Sequence, residues 1–266
     1  QFVTANANGQ IQVWNVAGQP LHRWQGNARQ LAWGGGPDGG WIATIKDGAV
    51  QLYRPDGALG PQMNLHNGSR NCGRSWAPDG ERLVATSGSS AIIFTATGQI
   101  VRTLSVSAAV QHVHWSPDGQ RIACAVAGRT LEMWEPSGKL VHRSQSEQPG
   151  RAACRWSPDG RFFAATNWDS CELWDRDGRS LWTAPSSQFI GRYAPKLTWS
   201  PDGSRILVLK VDRGIRMHSA DTGRTLHSIQ EESPRISGLA WNDAQQALAT
   251  SGFSQKSLRL FGADGR

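Results

Sequence analysis

The sequence predicts an all-β chain, a seven-bladed β-propeller of four-stranded antiparallel blades, on three observations. The stretch Trp156-Ser157-Pro158-Asp159-Gly160 returns at Trp76 to Gly80, Trp115 to Gly119 and Trp199 to Gly203, as Trp33 followed by Pro37-Asp38-Gly39, and degraded as Trp241-Asn242-Asp243-Ala244. The spacing is about forty residues, and the intervening segments are short apolar runs without helical periodicity, which is how propeller blades read in sequence. Seven segments end in Trp14, Tyr53, Phe94, Trp134, Trp174, His218 or Phe261, each followed by a small loop closing on Gly18, Gly57, Gly98, Gly138, Gly178, Gly223 or Gly265, and seven third strands mean seven blades.

The pentapeptide is a hairpin turn. Proline's fixed φ suits the second turn position and glycine the fourth. The tryptophan before it ends a strand such as Ala152 to Trp156, and the residues after it begin another, such as Arg161 to Ala165. Apolar groups on both faces of these strands fit blades sandwiched between neighbours.

In chain order, Phe2 to Ala5 reads as a second strand, Asn8-Gly9 as a hairpin turn, Ile11 to Trp14 as a third strand and Leu21 to Gln25 as a fourth. At the other end, Ile236 to Trp241, Ala247 to Ser251 and Leu258 to Phe261 supply strands one to three. The N-terminal blade lacks its first strand and the C-terminal blade its fourth, so residues 1–266 are expected to be a single domain within a longer multidomain chain. Gly34-Gly35-Gly36 reads as a loop insertion, since a strand and not a helix follows it.

Hydrophobic residues make up 38% and charged residues 18% of the chain, without a long apolar run, which excludes a transmembrane helix and argues against disorder. The formal charge of +7, carried by 23 arginines and 5 lysines, favours acidic or phosphorylated partners. Cys72, Cys124, Cys154 and Cys171 show neither a CxxC pair nor metal-ligand spacing. Cys154 and Cys171 fall in the first and third strands of one blade, about 9.6 Å apart at the usual strand spacing and beyond disulfide reach. Free thiols point to a reducing compartment, and the cytoplasm is the expected location.

The tandem Trp-Ser-Pro-Asp-Gly turns and the strand ending Leu173-Trp174-Asp175 resemble bacterial WD-repeat propellers over the whole chain. Trp174-Asp175 keeps the name-giving dipeptide, and Trp14-Asn15 and Trp134-Glu135 are close versions. TolB-type propellers share the Pro-Asp-Gly turn and are the nearest alternative. The resemblance implies a protein-interaction or scaffold module whose partner surface is built from inter-blade loops and the loops between second and third strands.

Asp38, Asp79, Asp118, Asp159 and Asp202 are turn residues on separate blades, not a carboxylate pair. His22, His142 and His227 recur on outer strands of different blades, while His112 and His114 flank a first strand. Nucleophile-elbow, phosphate-loop and His/Glu metal motifs are missing, so the expectation is no catalytic residue, no metal and no cofactor. Arg29, Arg70, Arg151, Arg192 and Arg235 recur at the entrance of first strands, where they would surround the mouth of a central channel. The inter-blade segment from Thr183 to Lys196 adds Phe189 and Tyr193, and Trp168 in a neighbouring loop is expected on the same side. Exposed Trp, Tyr and Arg dominate interface energetics, so these eight residues form the expected partner-binding set, for a protein partner or another domain of the parent chain. Two other readings compete: a propeller enzyme of lyase, lactonase or peptidase-gating type, and nucleic-acid binding through the arginines.

Overall fold

The structure is a computed structural model that describes residues 1–6, 8–26, 31–35, 40–46, 48–65, 73–127, 130–145, 153–166, 170–185, 196–209, 214–230, 236–242, 247–252 and 258–262. Strands, turns and no helix make up these residues. They form seven antiparallel sheets, five with four strands and two with three, each a meander in which chain neighbours pair. Blade 1 holds β1 (Phe2–Ala5), β2 (Gln10–Trp14) and β3 (Pro20–Gln25). Blade 2 holds β4 (Leu31–Gly34), β5 (Trp41–Lys46), β6 (Ala49–Tyr53) and β7 (Leu59–Asn64). Blade 3 holds β8 (Arg74–Trp76), β9 (Arg82–Ser87), β10 (Ser90–Thr95) and β11 (Ile100–Ser105). Blade 4 holds β12 (Val110–Trp115), β13 (Ile122–Val126), β14 (Thr130–Trp134) and β15 (Leu140–Gln145). Blade 5 holds β16 (Ala153–Trp156), β17 (Phe162–Thr166), β18 (Ser170–Asp175) and β19 (Ser180–Pro185). Blade 6 holds β20 (Lys196–Trp199), β21 (Arg205–Leu209), β22 (Gly214–Ser219) and β23 (Thr225–Gln230), and blade 7 holds β24 (Ile236–Asn242), β25 (Ala247–Gly252) and β26 (Leu258–Gly262). This is the all-β architecture of antiparallel, mostly four-stranded blades expected from the repeats.

Two compact units divide the chain, Gln1–Ala127 with Glu132–Val141 and Gly128–Leu131 with His142–Arg266. In the first unit, apolar side chains fill the space between successive blades: Ile11 and Val13 with Ile42 and Tyr53, Val50 and Leu52 with Leu83 and Ile92, and Val84 and Ile93 with Val113 and Ile122. The second unit repeats the arrangement with Ala164 and Leu173 against Leu197 and Ile206, and with Leu207 and Met217 against Trp241. Both faces of the middle strands are therefore covered. All five residues of β13 and all five of β14 are buried. Each fully buried Leu, Ile or Phe of this kind stabilises the fold by about 1.5–3 kcal/mol.

The tryptophan of the repeated turn ties one blade to the one before it. Trp76 Nε1 donates to the Ala32 carbonyl at 3.2 Å, and Trp199 Nε1 donates to the Arg155 carbonyl at 3.3 Å. Ala32 and Arg155 each directly precede the equivalent tryptophan of the previous blade, so the indole joins corresponding points of consecutive first strands. At Trp115 the arrangement changes. The Ser75 hydroxyl accepts the Trp115 backbone N–H at 3.1 Å, and the buried Trp115 Nε1 has no hydrogen-bond partner.

A second recurring contact sets outer strands against the next blade's third-to-fourth strand turn. Gly57 at φ +92° lies against Trp24 of β3, and Gly223 at φ +68° lies against Trp182 of β19, whose Nε1 donates to the Ala220 carbonyl at 2.7 Å. Glycine is required twice over at Gly223, because its φ is left-handed and a Cβ would fall 2.7 Å from the Trp182 ring. Gly34 departs from the loop insertion expected for it. It ends β4, paired with Trp41, and the Trp76 indole fills the space that a side chain would need.

Candidate interaction surface

The Ser-Pro-Asp-Gly turns use up the side chains that most resemble chemistry. Ser116, Ser157 and Ser200 are buried, and each donates its hydroxyl to the turn aspartate, Asp118, Asp159 or Asp202, at 2.6 Å. The same hydroxyls accept backbone N–H groups from Arg121, Phe162 and Arg205 at 2.9–3.0 Å. Asp159 also accepts the Arg161 backbone and guanidinium, and Asp79 accepts those of Arg82. Burial alone would raise the Asp159 carboxyl, but the Ser157 hydroxyl and Arg161 outweigh it and hold the group below its ordinary value. Burial likewise works against ionisation of Asp79, which Glu81 and Arg82 nevertheless lower. The Ser200 hydroxyl is the leading cause of the lowered Asp202. These carboxylates are ionised turn locks. Asp38 lies outside the described residues.

The aspartate of Trp174-Asp175 has the same kind of task. Asp175 accepts the backbone N–H groups of Asp177 and Arg179 at 2.9 Å, as Asn15 accepts those of Ala17 and Gln19 at 3.0 and 2.9 Å. An acceptor one residue past the aromatic thus closes the turn to the outer strand, with Gly178 and Gly18 supplying positive φ. His22 and His227 stand on the fourth strands β3 and β23 and His142 on β15, as expected, while His112 and His114 are half-buried in the first strand β12.

Cys154 and Cys171 occupy the first and third strands of blade 5, β16 and β18, with β17 between them. Both are buried and outside any disulfide, as is Cys124; Cys72 is outside the described residues. Burial, followed by the charge of Glu172, pushes the Cys171 thiol up to about 12. It stays protonated at neutral pH.

All eight residues of the expected partner-binding set, Arg29, Arg70, Arg151, Trp168, Phe189, Arg192, Tyr193 and Arg235, lie outside the described residues. The strand ends on either side of them are described. In blade 5, Ala153 pairs with Thr166 and Ser170 with Pro185, so the start of the first strand, the second-to-third connection and the end of the fourth strand share one edge of the sheet. The connection from blade 3 to blade 4, residues 106–109, runs along the corresponding edge and is fully described. Val106 N–H donates to Ser89 O and Val110 N–H to Gly88 O, both at 2.9 Å, and Ala127 N–H donates to Ala109 O at 2.8 Å.

Beneath that connection lies Glu132, which none of the repeated sequence motifs marks. It is fully buried in β14, accepts the Ser107 backbone N–H at 3.1 Å through Oε1 and accepts Trp134 Nε1 at 3.1 Å through Oε2. Glu172 stands at the equivalent place in β18, two residues before Trp174, where Ser170 donates to it at 3.4 Å. The signal in the sequence is an acidic residue inside an otherwise apolar third strand, in Leu131-Glu132-Met133-Trp134 and Cys171-Glu172-Leu173-Trp174. A buried polar group is retained where hydrogen bonds compensate its desolvation, and those of Glu132 hold the connection between blades 3 and 4 in place.

Comparison with known proteins supports the repeat type. Residues 98–135 match the model for "WD domain, G-beta repeat", and residues 165–244 match that for the "Anaphase-promoting complex subunit 4 WD40 domain". The chain is supported as a WD-repeat propeller. Among curated proteins it is similar to Intraflagellar transport protein 80 homolog of Mus musculus, 24% identical over 173 residues, covering 64% of this chain and 22% of that protein. It is similar to Actin-interacting protein 1 of Drosophila melanogaster, 25% identical over 203 residues, covering 71% of this chain and 31% of that protein. WD repeat-containing protein 26 homolog of Arabidopsis thaliana is 25% identical over 155 residues, covering 57% of this chain and 25% of that protein. The chain spans between about a fifth and a third of the length of these relatives. The relatives are eukaryotic, so the bacterial part of the expected resemblance finds no support in them.

Proposed function

We infer that the chain is a non-enzymatic interaction module that recognises an acidic protein partner through the loops at the first-strand entrances. One observation carries this reading: the serines and aspartates of the described turns are bonded to one another and to their own backbone, so they are committed to folding and recognition falls to the loops. The similarity to WD-repeat proteins supports it, because propellers of this kind serve as scaffolds. In this reading Arg29, Arg70, Arg151, Arg192 and Arg235 supply positive charge, and Trp168, Phe189 and Tyr193 supply contact area. Buried thiols outside any disulfide favour a reducing, cytoplasmic setting.

Chemical cross-linking of the purified chain in cell extract, followed by charge reversal of Arg151 and Arg192 together, tests the reading. Loss of one acidic cross-linked protein with unchanged thermal melting is the expected result. Retention of every cross-linked protein by the variant would overturn it, and cross-linking to nucleic acid that weakens steeply with salt would replace it with nucleic-acid recognition.

A further inference from the structure

The fourth strands carry a pattern that the loop-face reading does not use. Neither aspartate nor glutamate occurs in β3, β7, β11, β15, β19 or β23, although the chain has 21 acidic residues. Exposed apolar side chains recur there instead, among them Leu21, Ile100, Val101, Leu181 and Leu226. β11 shows this most clearly: Ile100 is 63% exposed, Val101 is 46% exposed, and Arg102 and Thr103 are exposed beside them.

β11 is also a sheet edge, paired with β10 and with no other described strand. Its register pairs Ser105 with Ser90, Leu104 with Ala91, Thr103 with Ile92 and Arg102 with Ile93, before a bulge near Phe94. Val106 N–H donates to Ser89 O across the same pair of strands. Backbone groups of an antiparallel strand alternate in direction, so those of Leu104 and Arg102 face β10, while those of Thr103 and Ser105 point away from the sheet. Edges of this kind are usually blunted by charge, by proline or by a covering element. Here the charge is a single guanidinium. Arg102 makes no ion pair among the described residues, and its Cδ lies 3.2 Å from where a Gly138 Cβ would be, beside the next blade's third-to-fourth strand turn.

We propose that β11 is a docking strand for an extended partner segment that alternates acidic and apolar residues and adds antiparallel to the blade edge. The outward N–H and C=O groups of Thr103 and Ser105 provide the main-chain pairing, Ile100 and Val101 the apolar contact, and Arg102 the selection for a carboxylate. This surface is separate from the loop face, so one can fail without the other.

The test uses the whole 266-residue chain and a short fluorescein-labelled peptide alternating valine with aspartate. Three comparison probes accompany it: the same peptide N-methylated at alternate backbone positions, a valine–lysine version, and vesicles of phosphatidylcholine with phosphatidylserine. The acidic peptide is expected to bind and to slow hydrogen exchange at the Thr103 and Ser105 amides. N-methylation should abolish binding, the lysine peptide should not bind, and Arg102→Glu or Ile100→Asp should each weaken binding by roughly tenfold or more. These positions are exposed, and unchanged melting curves verify that the variants are folded. Equal binding of the N-methylated peptide would overturn the strand-addition proposal. So would protection elsewhere in the chain, indifference to both substitutions, or vesicle binding without peptide binding.

Discussion

Replacing Trp199 by phenylalanine removes one inter-blade hydrogen bond and part of a buried ring, and the structure sets the size of the effect. Trp199 is 6% exposed, stacks on Phe162 with ring centres 6.5 Å apart, and donates to Arg155 O at 3.3 Å. Phenylalanine keeps most of the ring packing but leaves that carbonyl without its indole donor, a loss of about 0.5–1.5 kcal/mol for the bond. The smaller ring adds a cavity penalty that a second variant can calibrate. Trp115 occupies the same repeat position at 5% exposure with an unbonded Nε1, so Trp115→Phe pays the cavity penalty while relieving a buried orphan donor worth about 1–3 kcal/mol. Arg82 lies over the Trp115 ring at 5.0 Å, and phenylalanine retains part of that attraction. Urea unfolding followed by circular dichroism, with the slope checked against wild type, should place Trp199→Phe at least about 1 kcal/mol below Trp115→Phe. Equal destabilisation by the two substitutions would refute the idea that the indole stitches blades together through its N–H.

Four other outcomes follow from the same structure. Gly223→Ala combines left-handed φ with a Trp182 contact and should destabilise by more than Gly18→Ala, whose φ is +78° with nothing within 4 Å and which should cost about 1–2 kcal/mol from strain; equal melting shifts would count against the contact. Glu132→Ala strands the Ser107 and Trp134 N–H groups, should cost about 2–4 kcal/mol, and should speed hydrogen exchange at Ser107. The folded carboxyls of Asp79, Asp159 and Asp202 lie below their unfolded value, so their contribution is complete above about pH 4 and is lost as pH falls through the lower folded value; Asp159→Asn should flatten the acid limb of a stability-versus-pH curve. With its thiol raised to about 12 and buried, Cys171 should resist alkylation at pH 7 in the native protein and react fully in denaturant, as peptide mapping would show.

The blade boundaries were legible in the sequence because the Pro-Asp-Gly turn and the aromatic-then-glycine ending each encode a backbone geometry locally. Phe2–Ala5 and Leu258–Gly262 were placed to within a residue by that spacing alone. Contacts between blades were not legible, since they depend on which residues meet across about forty positions of chain. Nothing local in Gly34 announces that the Trp76 indole needs its space, and nothing in Trp199 announces that Arg155 O will accept from it. Glu132 was readable only as a chemical oddity within an apolar strand, and its purpose appears once Ser107 is seen above it. The expected contact residues lie outside the described residues, in stretches of chain between strands where no repeated turn motif fixes a backbone geometry from local sequence.

Partner affinity compared between two variants bears most directly on the central claim that folding occupies the turns and recognition occupies the loops. Ser157→Ala, which removes a buried turn lock, should lower the melting temperature and leave the affinity of the folded protein for its cross-linked partner unchanged. Charge reversal at Arg151 and Arg192 should do the opposite. If the turn variant lost affinity at full folding, or if the arginine variant melted early and bound normally, the division of labour would be contradicted.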